Sequence, residues 1–123
     1  MSKILIIEDD PDVTVLLREI LRLEGWDVEV AADGLSGLVK LKSAAADVTL
    51  LDIMMPNVDG ERVLAQLLEE GGGTLAKPVL VITGSPSGAN RCRSLLGSRN
   101  VFEKPFDPEL LTARIWSVLR GDA

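Results

Sequence analysis

Ile4-Leu5-Ile6-Ile7-Glu8-Asp9-Asp10-Pro11 joins an uninterrupted apolar run to three acids and a proline. Four consecutive aliphatic residues suit a parallel strand covered on both faces, ending where the polar residues begin. Asp10-Pro11 then opens a helix, with the aspartate as N-cap and the proline at the first helical position. The pattern recurs along the chain. Asp52 follows Val48-Thr49-Leu50-Leu51, Thr83 follows Val79-Leu80-Val81-Ile82, and Lys104 comes after Val101-Phe102. In a parallel α/β sheet, ligands bind in the crevice beyond the carboxyl ends of the strands. Three carboxylates (Glu8, Asp9, Asp52), a hydroxyl and an ammonium are therefore expected to converge there. Acids gathered so closely repel one another unless a cation sits among them. The set predicts a magnesium and phosphate site.

Strand and helix alternate five times. Val28-Glu29-Val30-Ala31 alternates in polarity, and Asn100-Val101-Phe102-Glu103 is short and charged. Both suit sheet edges, where polar side chains discourage aggregation. Two edges flanking three central strands predict an α/β, doubly wound, five-stranded parallel sheet in the order 2-1-3-4-5, flavodoxin-like, with helices on both faces. Val13, Leu16, Leu17, Ile20 and Leu21 form the apolar stripe of the first helix. Leu35, Leu38, Val39 and Leu41 are expected to serve the second, and Val63, Leu64, Leu67 and Leu68 the third. Leu110, Leu111, Ile115, Val118 and Leu119 serve the last. The fourth pattern is the weakest, with Ala89, Cys92, Leu95 and Leu96 before a terminating Gly97. Gly71-Gly72-Gly73 reads as a flexible loop. Without an internal repeat or a linker, residues 1–123 are expected to form a single domain.

The 123-residue chain is long enough for a core without disulfides. Its net charge of −6 argues against direct nucleic-acid binding, which rewards clustered Lys and Arg. No apolar run approaches the roughly 20 residues that span a bilayer, and no secretory leader is legible, so no membrane association is expected. One cysteine cannot form an internal disulfide, which fits a reducing, cytoplasmic setting. The absence of histidine excludes imidazole bases, imidazole ligands and phosphohistidine on this chain.

Taken together, Ile6-Ile7-Glu8-Asp9-Asp10, Leu50-Leu51-Asp52-Ile53-Met54-Met55-Pro56, Asp59-Gly60, Val81-Ile82-Thr83-Gly84 and Glu103-Lys104-Pro105-Phe106-Asp107 resemble the receiver domain of two-component response regulators. The resemblance runs from Lys3 to about Arg120, with each piece at the end of the right strand. It implies that Asp52 is the phosphoacceptor, whose carboxylate attacks a donor's phosphoryl group to form an acyl phosphate. Glu8, Asp9, Asp52 and the backbone carbonyl of Met54 would hold Mg²⁺ (or Mn²⁺), which favours oxygen ligands and neutralises charge during phosphoryl transfer. Lys104 would reach a phosphoryl oxygen, pair with Asp52 beforehand, and precede a cis bond to Pro105. Thr83 would be the switch hydroxyl, donating to the phosphoryl group and drawing Gly84-Ser85-Pro86-Ser87-Gly88 after it. Met54 and Ser85 hold the places that tune self-catalysed dephosphorylation. The implied donor is a histidine kinase or a histidine phosphotransfer protein, with no turnover of an outside substrate.

Each residue also has a plainer reading. A lone Asp52 caps a loop, Glu8-Asp9-Asp10 is an acidic helix start, Lys104 is a solvated loop residue, and Thr83 reflects β-propensity. Their joint placement favours the functional reading for all but Asp10, which is assigned to capping. Two rivals stand beside it. An aspartyl-phosphate phosphatase would want a second acid where Met54 stands. A phosphorylation-independent, receiver-like docking module would keep the fold without the switch. Nucleotide binding fails because no Gly-x-x-x-x-Gly-Lys loop follows the first strand.

Val101 departs from the resemblance, which implies Tyr or Phe at that position as an inward-rotating switch. Phe102 cannot substitute, because neighbours on a strand face opposite ways. Coupling is therefore expected to run through the fourth helix, where Arg91, Arg93 and Arg99 read as a solvated basic face. Trp116 either extends the core or is an exposed anchor for a homodimer or output partner docking on the last two helices. Trp26 is expected in core or edge packing, and Cys92 buried and inert. A stand-alone regulator and the receiver of a longer protein both fit the sequence.

Overall fold

The computed structural model describes residues 1–43, 45–55 and 58–121; Pro56, part of the motif after Asp52, lies outside them. The chain runs β1 (Lys3–Ile7), α1 (Pro11–Leu23), β2 (Asp27–Ala31), α2 (Gly34–Lys42), β3 (Val48–Asp52), then two-residue strands β4 (Met54–Met55) and β5 (Val58–Asp59). It continues through α3 (Gly60–Glu70), β6 (Val79–Thr83), α4 (Pro86–Leu96), a 3₁₀ turn (Ser98–Asn100), β7 (Val101–Glu103) and α5 (Pro108–Leu119). The main sheet has the order β2-β1-β3-β6-β7, and every pairing in it is parallel. With the small antiparallel β4–β5 ribbon set aside, this is the expected doubly wound order. Among the described residues, no helix is long and apolar enough to cross a membrane.

The strands sort their side chains by the two-residue period of the pleat. Ile4, Ile6, Leu50, Leu80 and Ile82 meet Leu17 and Leu21 of α1 and Leu111 and Ile115 of α5 on one face. Leu5, Ile7, Leu51, Val79 and Val81 meet Leu64 of α3 and Ala89 and Cys92 of α4 on the other. Val101 belongs to this second core, while Phe102 packs against the first. The strand thus turns these neighbours to opposite sides, as the pleat requires. Cys92 is fully buried, and Trp26 lies in the core.

Among the described residues, each of the five α-helices begins with a side-chain cap. Asp10, Asp33, Asp59, Ser85 and Asp107 accept from the backbone N–H groups of Asp12, Ser36, Arg62, Gly88 and Glu109. Such caps satisfy donors that have no partner within the helix. Proline follows the cap in α1, α4 and α5, where its missing N–H costs nothing. The caps sit where the chain leaves β1, β2, the β4–β5 ribbon, β6 and β7. Helix N-termini therefore gather at the carboxyl edge of the sheet.

The packing of α2 corrects the sequence reading. Leu35 and Val39, expected on its inner stripe, are 70% and 69% exposed. The buried positions are Gly34 and Gly37. A Cβ on Gly37 would lie 2.5 Å from Ile7 Cγ2, so α2 rides on β1 at a distance only glycine allows. Leu16, Leu95 and Leu110 are also exposed. Each lies one position before a stripe residue, and a step of 100° on the helix carries it off the core. Gly71-Gly72-Gly73 forms a turn rather than a loose loop, since the Gly73 N–H donates to Leu68 O at 2.7 Å.

Candidate functional site

β1 is followed by Glu8, which continues the β1–β2 ladder by one bond: its N–H donates to Ala31 O at 3.2 Å. β3 runs beside β1 with Ile7 opposite Leu51, so Asp52, one residue further, stands at the same edge. β6 places Ile82 opposite Asp52 and Thr83 just beyond. The Lys104 N–H donates to Thr83 O at 2.8 Å and extends the β6–β7 pairing past the last strand residue. All four side chains are thus carried by the ends of neighbouring strands.

Glu8 is 2% exposed and Asp52 is 5% exposed, so both carboxyls are nearly cut off from water. Asp9, at the mouth, is exposed. Oxygen atoms of Glu8, Asp9 and Asp52 lie within 4.8 Å of one another, close enough to share one cation. Lys104 Nζ donates to Glu8 Oε1 at 2.6 Å and to Asp52 Oδ2 at 3.4 Å. The expected pairing of Lys104 with Asp52 is therefore the longer of two, and Glu8 is its main partner. Asp52 Oδ1 accepts from the Met54 N–H at 2.9 Å. This bond from the Met54 amide fixes the orientation of Asp52, and it leaves the Met54 carbonyl available for the metal role the resemblance implies.

Glu8 Oε2 is buried and has no hydrogen-bond partner. Such an orphaned acceptor is costly in a dry site. A divalent cation bridging Glu8, Asp9 and Asp52 would satisfy it, and an all-oxygen donor set suits Mg²⁺ or Mn²⁺. The residues present therefore fit the expected metal. Burial first, then the neighbouring Asp52 carboxyl, pushes the Glu8 carboxyl up to about 8, with Lys104 pulling the other way. For Lys104, partial burial favours the neutral amine. Glu8 and Asp52 more than offset this and hold the ammonium above its ordinary value.

Thr83 is fully buried, and its hydroxyl oxygen accepts from the Ser85 N–H at 3.1 Å. Ser85 Oγ in turn accepts from the Gly88 N–H at 3.1 Å, capping α4. The Lys104-Pro105 bond is cis. Sequence reasoning missed two features here. The Ser85 cap had a readable signal, serine directly before proline at a helix start. The Glu8–Lys104 pair, 96 positions apart, had none.

The basic face expected on α4 is partly neutralised: Arg91 pairs with Glu61, and Arg93 with Glu103. Trp116 extends the core at its edge and keeps an exposed face. Its ring packs on Trp26, centroids 5.0 Å apart, and its Nε1–H donates to Glu24 Oε2 at 3.0 Å, yet 41% of it stays exposed.

Comparison with known proteins agrees with this geometry. The family described as "Response regulator receiver domain" matches residues 4–116. The chain is 39% identical over 119 residues to transcriptional regulatory protein TrcR of Mycobacterium tuberculosis, covering 96% of this chain and 45% of TrcR. It is 40% identical over 121 residues to transcriptional regulatory protein CpxR of Escherichia coli, covering 98% of this chain and 50% of CpxR. The chain thus spans about half the length of these relatives. Among solved structures it resembles the signal receiver domain of a DNA-binding response regulator from Colwellia psychrerythraea, with a TM-score of 0.82 and 26% identity over 98% of this chain and 99% of that one. A CheY-like receiver domain protein from Methanospirillum hungatei gives a TM-score of 0.80 and 27% identity over 98% and 95%.

Proposed function

Because this chain belongs to the response regulator receiver domain family, we propose that Asp52 accepts a phosphoryl group from a phosphohistidine on a histidine kinase or phosphotransfer partner. The observation that carries this reading is the buried Asp52 carboxylate at a strand end, with Lys104 Nζ 3.4 Å from Oδ2 and Glu8 beside it. An Asp52 oxygen attacks phosphorus, an O–P bond forms, and the P–N bond to the donor imidazole breaks. The bond from the Met54 N–H holds Oδ1, leaving Oδ2 on the Lys104 side to attack. Lys104 supplies a compact positive charge for the phosphoryl oxygens. A divalent cation held by Glu8, Asp9 and Asp52 would supply the remaining positive charge between the carboxylates and the phosphoryl group.

The modification favours a second arrangement of the loop after Thr83 and the last two helices, whose population it raises through contacts absent beforehand. Water later hydrolyses the acyl phosphate in the same site, so the domain resets itself without acting on an outside substrate. The names of TrcR and CpxR support transcription as the process controlled, through other domains or partners rather than through direct nucleic-acid contact by this acidic unit. The partly exposed Trp116 offers an anchor for a second copy or an output partner. A cytoplasmic setting follows from the phosphohistidine donor.

Intact-mass measurement after incubation with a small acyl phosphate and Mg²⁺ tests the reading. The expected result is a gain of one phosphoryl group, absent when the metal is chelated and removed by hydroxylamine, which cleaves acyl phosphates. A folded protein that gains no mass overturns the proposal.

A further inference from the structure

α4 meets its face of the sheet mainly through small side chains. Its buried positions are Gly88, Ala89 and Cys92, and Leu95 is exposed. Side chains this small remove little apolar surface from water, so polar contacts weigh more in deciding where α4 sits. Its N-terminus hangs from Thr83, through the Ser85 N–H to the threonine hydroxyl and the Ser85 side chain to the Gly88 N–H. Its middle is tied sideways to α3. Arg91 donates to both carboxylate oxygens of Glu61, from Nε to Oε1 and from Nη2 to Oε2, the latter at 2.9 Å. A weaker tie joins Arg93 to Glu103 of β7 at 3.6 Å.

The two-pronged geometry of the Glu61–Arg91 pair matters. A planar guanidinium meeting a carboxylate through two parallel bonds fixes direction as well as distance, which a single lysine contact does not. Glu61 lies in the first turn of α3, directly after Asp59 has capped that helix. The pair therefore joins the two helices that start beside the acceptor and the switch hydroxyl. A shift of α4 along or away from α3 larger than these two side chains can follow breaks the two-bond geometry.

We propose that Glu61–Arg91 is an intramolecular latch holding α4 in its resting position, which phosphorylation must overcome. The proposal rests on the phosphoacceptor reading above and adds the element that opposes it. When the Thr83 hydroxyl turns to a phosphoryl oxygen on Asp52, it gives up the Ser85 N–H and loosens the N-terminal support of α4. The latch then sets how readily the helix follows. Since Val101 cannot act as a rotating aromatic, α4 is the route by which the site reaches the surface.

The test uses E61Q and R91Q in the full chain, with two readings. Amide hydrogen exchange across α4 in the unphosphorylated protein is expected to rise roughly two- to fivefold in both variants, the span that exposed ion pairs support. Phosphate uptake from a small acyl phosphate is expected to quicken in both. This agreement in direction is the diagnostic. A simple effect of charge on an anionic donor would move the two variants oppositely, since one loses a negative and the other a positive charge. The charge swap E61R/R91E is expected to return both readings towards wild type. Unchanged exchange, opposite shifts in uptake, or a swap no better than the single variants would each overturn the latch. If the wild type takes up no phosphate, the phosphoacceptor reading fails by itself, and the exchange measurements still decide whether α4 is held by this pair.

Discussion

Asp52→Asn is expected to gain no phosphoryl group under conditions where the wild type gains one, with uptake slowed by roughly a thousandfold or more. The substitution keeps the shape and the Oδ1 acceptor, so the bond from the Met54 N–H at 2.9 Å survives. It replaces Oδ2, the oxygen facing Lys104 at 3.4 Å, by an amide nitrogen whose lone pair is delocalised and cannot attack phosphorus. Loss of uptake is therefore a loss of chemistry, to be confirmed by an unchanged far-ultraviolet spectrum. The same substitution removes a negative charge beside Glu8. Because Asp52 helps to raise the Glu8 carboxyl, the Glu8 pKa is expected to fall in this variant, which proton titration by NMR would read. Uptake by Asp52→Asn at the wild-type rate would sink the assignment of the acceptor.

Freed of divalent cations, the protein is expected to lose stability as pH rises from about 5 to about 8. The Glu8 carboxyl has an ordinary value of 4.5 and is pushed up to about 8 in the fold, mainly by burial. The folded state therefore keeps a proton that the unfolded chain releases above 4.5. A raised acid pKa gives a contribution that is whole below the unfolded value and fades as pH climbs through the folded one. At about 1.36 kcal/mol per unit, the span sets a ceiling on the order of 5 kcal/mol. Mg²⁺ is expected to reverse the trend, stabilising most at high pH, because the ionised form of Glu8 is the one that binds it. Urea midpoints between pH 5 and 9, in chelator and in excess Mg²⁺, would measure both effects. Glu8→Gln should flatten the chelator profile; an equal slope in that variant would place the proton elsewhere.

What could be read in the sequence was whatever depends on local order. Apolar runs ending in Glu8, Asp52 and Thr83 mark strand ends, and strand ends in a parallel sheet share an edge, so the convergence of the site followed from spacing alone. Asp10-Pro11 announced a helix start for the same reason. Two kinds of feature stayed hidden. Hydrophobic periodicity weighs large side chains, so Leu35 and Val39 were added to a stripe of which only Leu38 and Leu41 are partly buried. The true contact, glycine against Ile7, has no apolar signal to detect. Ion pairs between distant positions were equally silent. Glu61 and Arg91 are 30 residues apart, and nothing near either one marks its partner. Lys104 was placed correctly at the edge, but its preference for Glu8 over Asp52 depends on fractions of an ångström that spacing cannot supply.

The chain holds two tryptophans and no tyrosine, and the tryptophans touch. With ring centroids 5.0 Å apart and planes tilted by 52°, they are close enough for their transitions to couple. Trp26 precedes β2, at the end of the sheet away from the acids, and Trp116 reaches it from α5. The near-ultraviolet signal of the protein is therefore a gauge of how α5 seats on the far end of the molecule. Any change in that signal on loading of the acidic site will have crossed the full length of the sheet.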